Sequence, residues 1–297
     1  MTSGTPEIDP HGSDVARFHD HQRSPAHVRA RSAEGFNKTY GIVHPMEQWA
    51  SNRNVRLSPA YPRQVELKAE FFEAAGWERP FWYGANERLL AEYGDRVMPR
   101  EAEWESRWWS PISNAEHLAM RERAAMIDLS AFHILDVVGP GSLDYLQRLA
   151  LAQLDVPVGR VVYTPILAPN GGFKADLTIM RLGEREWRIV TGGAHGMADR
   201  KWFADGLPED GSASLLDVTS AWCTLGVWGP RARDLVASTT SDDVSHEGFP
   251  FGTCRWVTLG SVPALLSVPG KISRTIPAIF SSVRKGRRSS ASSKRRR

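Results

Sequence analysis

The stretch from Tyr163 to Met180, YTPILAPNGGFKADLTIM, constrains this chain more than any other. Its first part, TPILA, reads as a buried strand. PNGG is a turn, because Asn-Gly and Gly-Gly tolerate positive φ. FKADLTIM then alternates, which predicts a second strand. Phe173, Ala175, Leu177 and Ile179 point one way, and Lys174, Asp176, Thr178 and Met180 the other. That second face carries a carboxylate, Asp176, in mid-strand, where a charge needs a partner or a task. Lys174 on the same face offers the plainer partner, a surface ion pair worth at most about 1 kcal/mol.

The rest of the chain gives this strand pair a globular setting. With 297 residues, 41% hydrophobic and 24% charged, it can bury a core in one or two domains. Cys223 and Cys254 form neither a disulfide framework nor a metal spacing, so ordinary buried thiols and no metal are expected. The first residues, MTSGTPEIDPHGSD, are acidic and lack an apolar run, so no signal or transit peptide is expected. No apolar segment approaches the ~20 residues of a membrane span. A cytoplasmic protein without a membrane partner is the expectation. Charge is unevenly spread. Residues 267–297 hold ten Lys or Arg and no Asp or Glu, which leaves 27 basic against 34 acidic side chains in residues 1–266.

Residues 1–57 are polar and irregular, with a helix predicted around Pro25–Phe36. His11, His19, His21 and His27 lack a closing carboxylate or thiol at metal spacing, and read as solvated or inter-domain surface. In GWERPFWY, Trp77, Phe81 and Trp82 are expected to pin a long irregular segment onto the core, with Glu78 and Arg79 pairing or capping nearby. Ser113-Asn-Ala-Glu116 is a capping box. It predicts a helix to about Ile127 with Ile112, Ala115, Leu118, Ala119 and Met126 buried. A strand His133–Val138 and a helix carrying Leu143, Leu146 and Leu149 follow, with His133 as a structural histidine. Beyond the central strand come a turn at 182–186, a strand Trp187–Thr191, a short helix 198–203, an apolar strand Trp222–Trp228 and a helix opened by Gly229-Pro230. The fold expected for residues 58–266 is α+β: mixed sheets from the strands at His133, Tyr163, Phe173, Trp187 and Trp222, covered by helices near Ser113, Ser142 and Pro230. From Ser267 the chain turns Ser- and Arg-rich, and a disordered basic tail with no part in the core is expected.

Several phrases together carry a family resemblance. YTPILAPNGGFKADL resembles the central motif of the folate-dependent aminomethyltransferases, the T-protein of glycine cleavage. GWERP, Asp128-Leu-Ser130 and DVTSAWCTLGVWGPRARDLV are similar to the same module where it forms the C-terminal half of the sarcosine and dimethylglycine dehydrogenases. DVARFHDHQ and NKTYGIVHPMEQWASNRNVRLSP resemble the segment joining their flavin half to their folate half. The resemblance covers about residues 8–266. It implies residues 1–57 as the tail of an FAD-dependent oxidoreductase central region, 58–266 as a partial folate-binding domain, and 267–297 as a basic tail.

For the site, the resemblance implies tetrahydrofolate as cofactor and a one-carbon unit derived from an N-methyl amine as substrate. Asp176 matches the family's catalytic aspartate. Tyr163, Asp176 and Thr191 are the folate-binding positions, Thr191 standing where the T-protein pattern has an asparagine. Gly139-Pro140-Gly141 lacks the third glycine of a dinucleotide loop, so FAD is expected only in the flavin half, which has no counterpart in these residues. A flavoprotein partner would supply it. Two alternatives stand beside the enzyme module: a non-catalytic remnant of the same family, and a nucleic-acid-binding protein using RKGRRSSASSKRRR, which lacks aromatic interleaving.

Overall fold

The computed structural model describes residues 13–99, 109–268 and 278–282, the last for its backbone. Two antiparallel five-stranded sheets dominate it, in the orders β5-β6-β7-β4-β8 and β10-β11-β12-β9-β3. The first contains β4 (His133–Val138), β5 (Val161–Leu167), β6 (Phe173–Gly183), β7 (Glu186–Thr191) and β8 (Ser214–Asp217). The second contains β3 (Ala125–Asp128), β9 (Cys223–Trp228), β10 (Cys254–Leu259), β11 (Val262–Ser267) and β12 (Ala278–Ser282). The α+β architecture expected from the alternating periods is the one found.

Period-two alternation gives the first sheet two different faces. Leu135, Val137, Ile166, Leu177, Ile179, Trp187 and Ile189 point to one side. There they bury against α5 (Ser142–Leu149) and α6 (Gly196–Asp205), through Tyr145, Leu146 and Phe203. The Tyr145 hydroxyl closes this core by donating to the carbonyl of Phe203. Val161, Met180 and Val190 point to the other side and meet Cys254 and Leu265 of the second sheet. Backbone bonds fix that contact: Val161 N donates to Gly252 O at 2.9 Å and Cys254 N to Gly159 O at 2.7 Å. The far face of the second sheet packs Val227, Val257, Ala264 and Leu266 against α7 (Ala232–Ala237).

Three local expectations differ from what is found. The helix α4 runs Pro111–Glu122, with Ser110 as its cap and proline in its first turn, rather than Ser113 to Ile127. Glu116 does not close a capping box, because its carboxylate accepts from Tyr83 N at 3.0 Å and Asn86 Nδ2 at 2.7 Å. The last residues assigned to that helix are strand β3, which leaves Met126 61% exposed rather than buried. Residues 69–83 are not irregular: β1 (Ala69–Ala74) and β2 (Trp77–Tyr83) form an antiparallel hairpin. Glu78 is buried in it and pairs with Arg53 at 2.5 Å.

The third difference lies in the basic tail. Residues 278–282 of that tail run as β12, inserted between β11 and β9 with Phe280 opposite both Leu266 and Leu225. The stretches 269–277 and 283–297 lie outside the described residues, as do His11, Trp104 and Trp108. At the N-terminal side, α1 (Pro25–Thr39) is longer than its sequence suggests, and α2 (Tyr61–Glu66) leads into the hairpin. α3 (Arg88–Tyr93) packs with α4 through Leu89, Tyr93 and Ala115. Among the described residues, no helix is long and apolar enough to cross a membrane.

Candidate functional site

The turn between β5 and β6 has the form its sequence demands. Gly171 sits at φ +82° and its amide donates to Ala168 O at 2.8 Å, while Gly172 N donates to Asn170 Oδ1 at 2.9 Å. An L side chain at Gly171 would be strained. The turn fixes the register Tyr163↔Thr178 and Pro165↔Asp176. Directly opposed residues share a sheet face, so Tyr163, Pro165, Asp176 and Thr178 all project from the inter-sheet side.

On that side the Tyr163 hydroxyl donates to Asp176 Oδ2. This hydrogen bond, ahead of burial and the carboxylate charge, holds the phenol above its ordinary pKa, so Tyr163 stays a donor at neutral pH. Tyr163 is 61% exposed and Asp176 is also exposed. The inter-sheet packing covers Val161 and Met180 and stops short of this pair, leaving a carboxylate and a phenol together on open sheet. Lys174, the plainer candidate partner, places its ammonium over the Trp202 ring at 4.4 Å. The expectation that joined Asp176 to Tyr163 therefore matches the geometry.

Thr191 does not join them. β7 alternates Trp187, Ile189, Thr191 onto the helix-covered face, the reverse of the Asp176 face. Its buried hydroxyl donates to Asp199 Oδ2 of α6 at 2.5 Å. Beside it, buried His133 lies 3.3 Å from Asp217, as a structural histidine would. Burial raises the Asp217 pKa, but bonds from His133 and Thr219 outweigh it and hold the carboxyl well below the usual range. Thr191 thus belongs to a structural network.

Sequence reasoning missed residues on the Asp176 face that no local pattern marks. Arg188, buried between the sheets, grips Asp136 by two 2.8 Å bonds, Nε to Oδ1 and Nη2 to Oδ2. Its guanidinium stacks 4.2 Å from the Trp222 centroid, and Trp222 lies 5.9 Å from Trp256, which is largely exposed. Arg188 pairs with Met180, four residues along β6 from Asp176. An aromatic wall on a fixed cation therefore occupies the same sheet face as the carboxylate. Well-formed cavities lie elsewhere among the described residues. One of about 430 Å³ is bounded by β2, α3, α4 and β3; one of about 590 Å³ sits at the N-terminal segment. Neither is lined by Tyr163 or Asp176.

Comparison with known proteins places this geometry in a family. Residues 60–270 match the GCVT N-terminal domain and residues 3–58 the central domain of FAD-dependent oxidoreductases. The chain belongs to the GCVT N-terminal domain family, and it carries a module of the folate-dependent one-carbon-transfer kind. It is 34% identical to the 4-methylaminobutanoate oxidase (formaldehyde-forming) of Paenarthrobacter nicotinovorans, over 83% of this chain and 29% of that one. It is 29% identical to the mitochondrial pyruvate dehydrogenase phosphatase regulatory subunit of Mus musculus, over 88% of this chain and 29% of that one. To the mitochondrial sarcosine dehydrogenase of Homo sapiens it is also 29% identical, over 84% of this chain and 31% of the relative. The chain thus spans about three tenths of the length of these relatives. The fold is shared with the glycine cleavage aminomethyltransferase T of Bartonella henselae: TM-score 0.57, 18% identity, 77% of this chain and 54% of that one.

Proposed function

We propose that this chain supplies the carboxylate-bearing wall of a tetrahydrofolate site and transfers to the folate a one-carbon unit taken from an N-methyl amine. The observation that carries the reading is the Tyr163–Asp176 pair, exposed on the inter-sheet face directly after the Gly171-Gly172 turn. Tetrahydrofolate, when bound, supplies the amine nitrogens that accept the one-carbon unit. Asp176 takes or orients the proton released there and faces the positive charge of the one-carbon carrier. Tyr163 donates to one carboxylate oxygen and leaves the other free, which fixes the direction of the free lone pairs. Tyr163, Trp222 and Trp256 offer flat surface to a fused-ring ligand. Thr191 can contribute only through its backbone and the glycines that follow it. The reading divides the chain into an oxidoreductase-type segment, 1–57, and a partial folate module, 58–266, with the flavin supplied by a polypeptide part outside these residues. The two free thiols fit a cytoplasmic setting.

The test is the rate at which the full chain forms methylenetetrahydrofolate from tetrahydrofolate and formaldehyde, above the uncatalysed reaction. Asp176→Asn should abolish the enhancement, a loss of about a hundredfold or more if the carboxylate is the proton acceptor. Full enhancement in the variant would end the proposal. A second reading, a binding or regulatory scaffold without catalysis, draws on the similarity to a protein named as a regulatory subunit and on the openness of the Asp176 end of the sheet. It expects no rate enhancement in either protein.

A further inference from the structure

The cavity of about 430 Å³ between β2, α3, α4 and β3 has a built polar side. Ser113, Glu116 and Met120 of α4 all line it. Residues three and four apart share one face of a helix, so these side chains form a continuous wall. The volume falls within the range of small-molecule sites, roughly 300–1,000 Å³. Phe81, Leu89, Ala119 and Met120 make the rest of the lining largely apolar, with Tyr83 beside them.

Glu116 stands half-buried in this wall. Both of its bonds, from Tyr83 N at 3.0 Å and Asn86 Nδ2 at 2.7 Å, go to Oε1. Among the described residues, nothing donates to Oε2 and no cation pairs with the carboxylate. Arg123, which also borders the cavity, is taken by Glu92. Burial holds the Glu116 carboxyl above its ordinary range, against the pull of Asn86 and the Tyr83 amide. A carboxylate drawn from water without a counter-charge is costly, and a cation brought to it would offset that cost. One turn earlier, the Ser113 Oγ is buried with no hydrogen-bond partner among the described residues. Two unmet acceptors one helical turn apart suit an ammonium group, which carries only donors.

We propose that this cavity binds a small protonated amine with an apolar body, its N–H groups donating to Glu116 Oε2 and Ser113 Oγ. The body lies against Leu89, Ala119 and Met120, and the rings of Phe81 and Tyr83 add the attraction of an aromatic face for a cation. Neither Tyr163 nor Asp176 lines the cavity, so this site stands apart from the folate reading. Arg88 also lines it and favours an anion instead, which the test must separate.

Benzylamine, benzyl alcohol and benzoate share one size and differ in charge, and each is titrated calorimetrically into the full chain near neutral pH. Benzylamine should bind in about the millimolar range, as suits so few atoms. Benzyl alcohol should bind roughly 10- to 100-fold more weakly, the loss of one charge-assisted bond, and benzoate should give no heat of binding. Glu116→Gln keeps an acceptor for Tyr83 and Asn86, so its thermal midpoint should stay near that of the wild type. In it, benzylamine should lose the same roughly 10- to 100-fold while benzyl alcohol keeps its affinity. Ser113→Ala should weaken benzylamine roughly 2- to 10-fold. Asp176→Asn should bind benzylamine as the wild type does, so failure of the folate reading and failure of this one give different results. No binding of benzylamine, equal affinity for the amine and the alcohol, tighter binding of benzoate, or an undiminished preference for the amine in Glu116→Gln would each overturn the proposal. The first three are read on the wild type and do not depend on any variant folding.

Discussion

Replacing Arg188 by methionine tests how the two sheets are held. Arg188 and Asp136 form a bidentate pair at 2.8 Å and 2.8 Å, with side chains 3% and 12% exposed. The two charges are taken from water and answer each other, with Arg188 Nη1 buried and unbonded among the described residues, so removing one member strands the other. Arg188→Met leaves the Asp136 carboxylate between the sheets, and a loss of about 3–5 kcal/mol is expected. Asp136→Val strands the guanidinium at a similar cost, eased by its stacking on Trp222, worth about 1–2 kcal/mol where desolvated. The double variant replaces both charges with apolar groups of comparable volume and should lie within about 1–2 kcal/mol of the wild type. The cycle then yields a coupling of roughly 3 kcal/mol or more. Urea unfolding followed by tryptophan fluorescence reads it, because Trp222 reports from the pair itself. Against a total stability of about 5–15 kcal/mol, the single variants should shift the midpoint visibly. Singles that cost less than about 1 kcal/mol each and add in the double would refute the pair's role.

Other outcomes follow from the same contacts. Gly193→Ala should destabilise by about 2 kcal/mol or more in a thermal melt, because a Cβ there would meet the Ala131 carbonyl at 1.8 Å. A chain ending at Val268 removes β12 and opens the edges of β9 and β11, so it should aggregate in light scattering where the full chain does not. His21 is pushed down to about 4, by burial first and then by His19, His27, Arg56 and Arg31. Its folded pKa lies below the unfolded value of 6.5, so the unfolded chain binds more protons between these limits. Stability should fall as pH drops through about 6.5 to 4, by about 1 kcal/mol once solvent screening is counted, and His21→Gln should flatten that slope.

The elements that were legible in the sequence are those whose signals are local. The alternation through Phe173–Met180 and the turn at Gly171 mark the strand pair, because both lie within one short stretch. That Tyr163 and Asp176 share a site came from the family resemblance, and the register Tyr163↔Thr178 and Pro165↔Asp176 became visible only in the structure. Thr191 was misplaced because closeness in sequence does not set a sheet face. Its parity with Ile189, not its distance from Asp176, turns it toward α6. The hairpin β1–β2 was illegible because its turn uses Ala75 at φ +51° before Gly76 at φ +84°, where a turn of that kind is normally marked by Asn or Asp. Strand β12 was illegible for a different reason: its partner Leu225 lies far back in the chain, and its own composition is that of a tail, although Leu266 on its other side is near in sequence. The Arg188–Asp136–Trp222 group joins residues from three distant parts of the sequence and leaves no spacing to read.

The most direct test of the central claim is a calorimetric titration of the full chain with tetrahydrofolate, beside Asp176→Asn and Tyr163→Phe. The wild type should bind weakly, because the sheet is open at this end. Asp176→Asn removes a charge-assisted contact worth about 1.5–3 kcal/mol, so binding should weaken roughly 10- to 100-fold with the thermal midpoint unchanged. Tyr163→Phe should fall between the two. Wild-type affinity in Asp176→Asn, or no heat of binding from the wild type at any concentration, would contradict the assignment of Asp176 to a folate site.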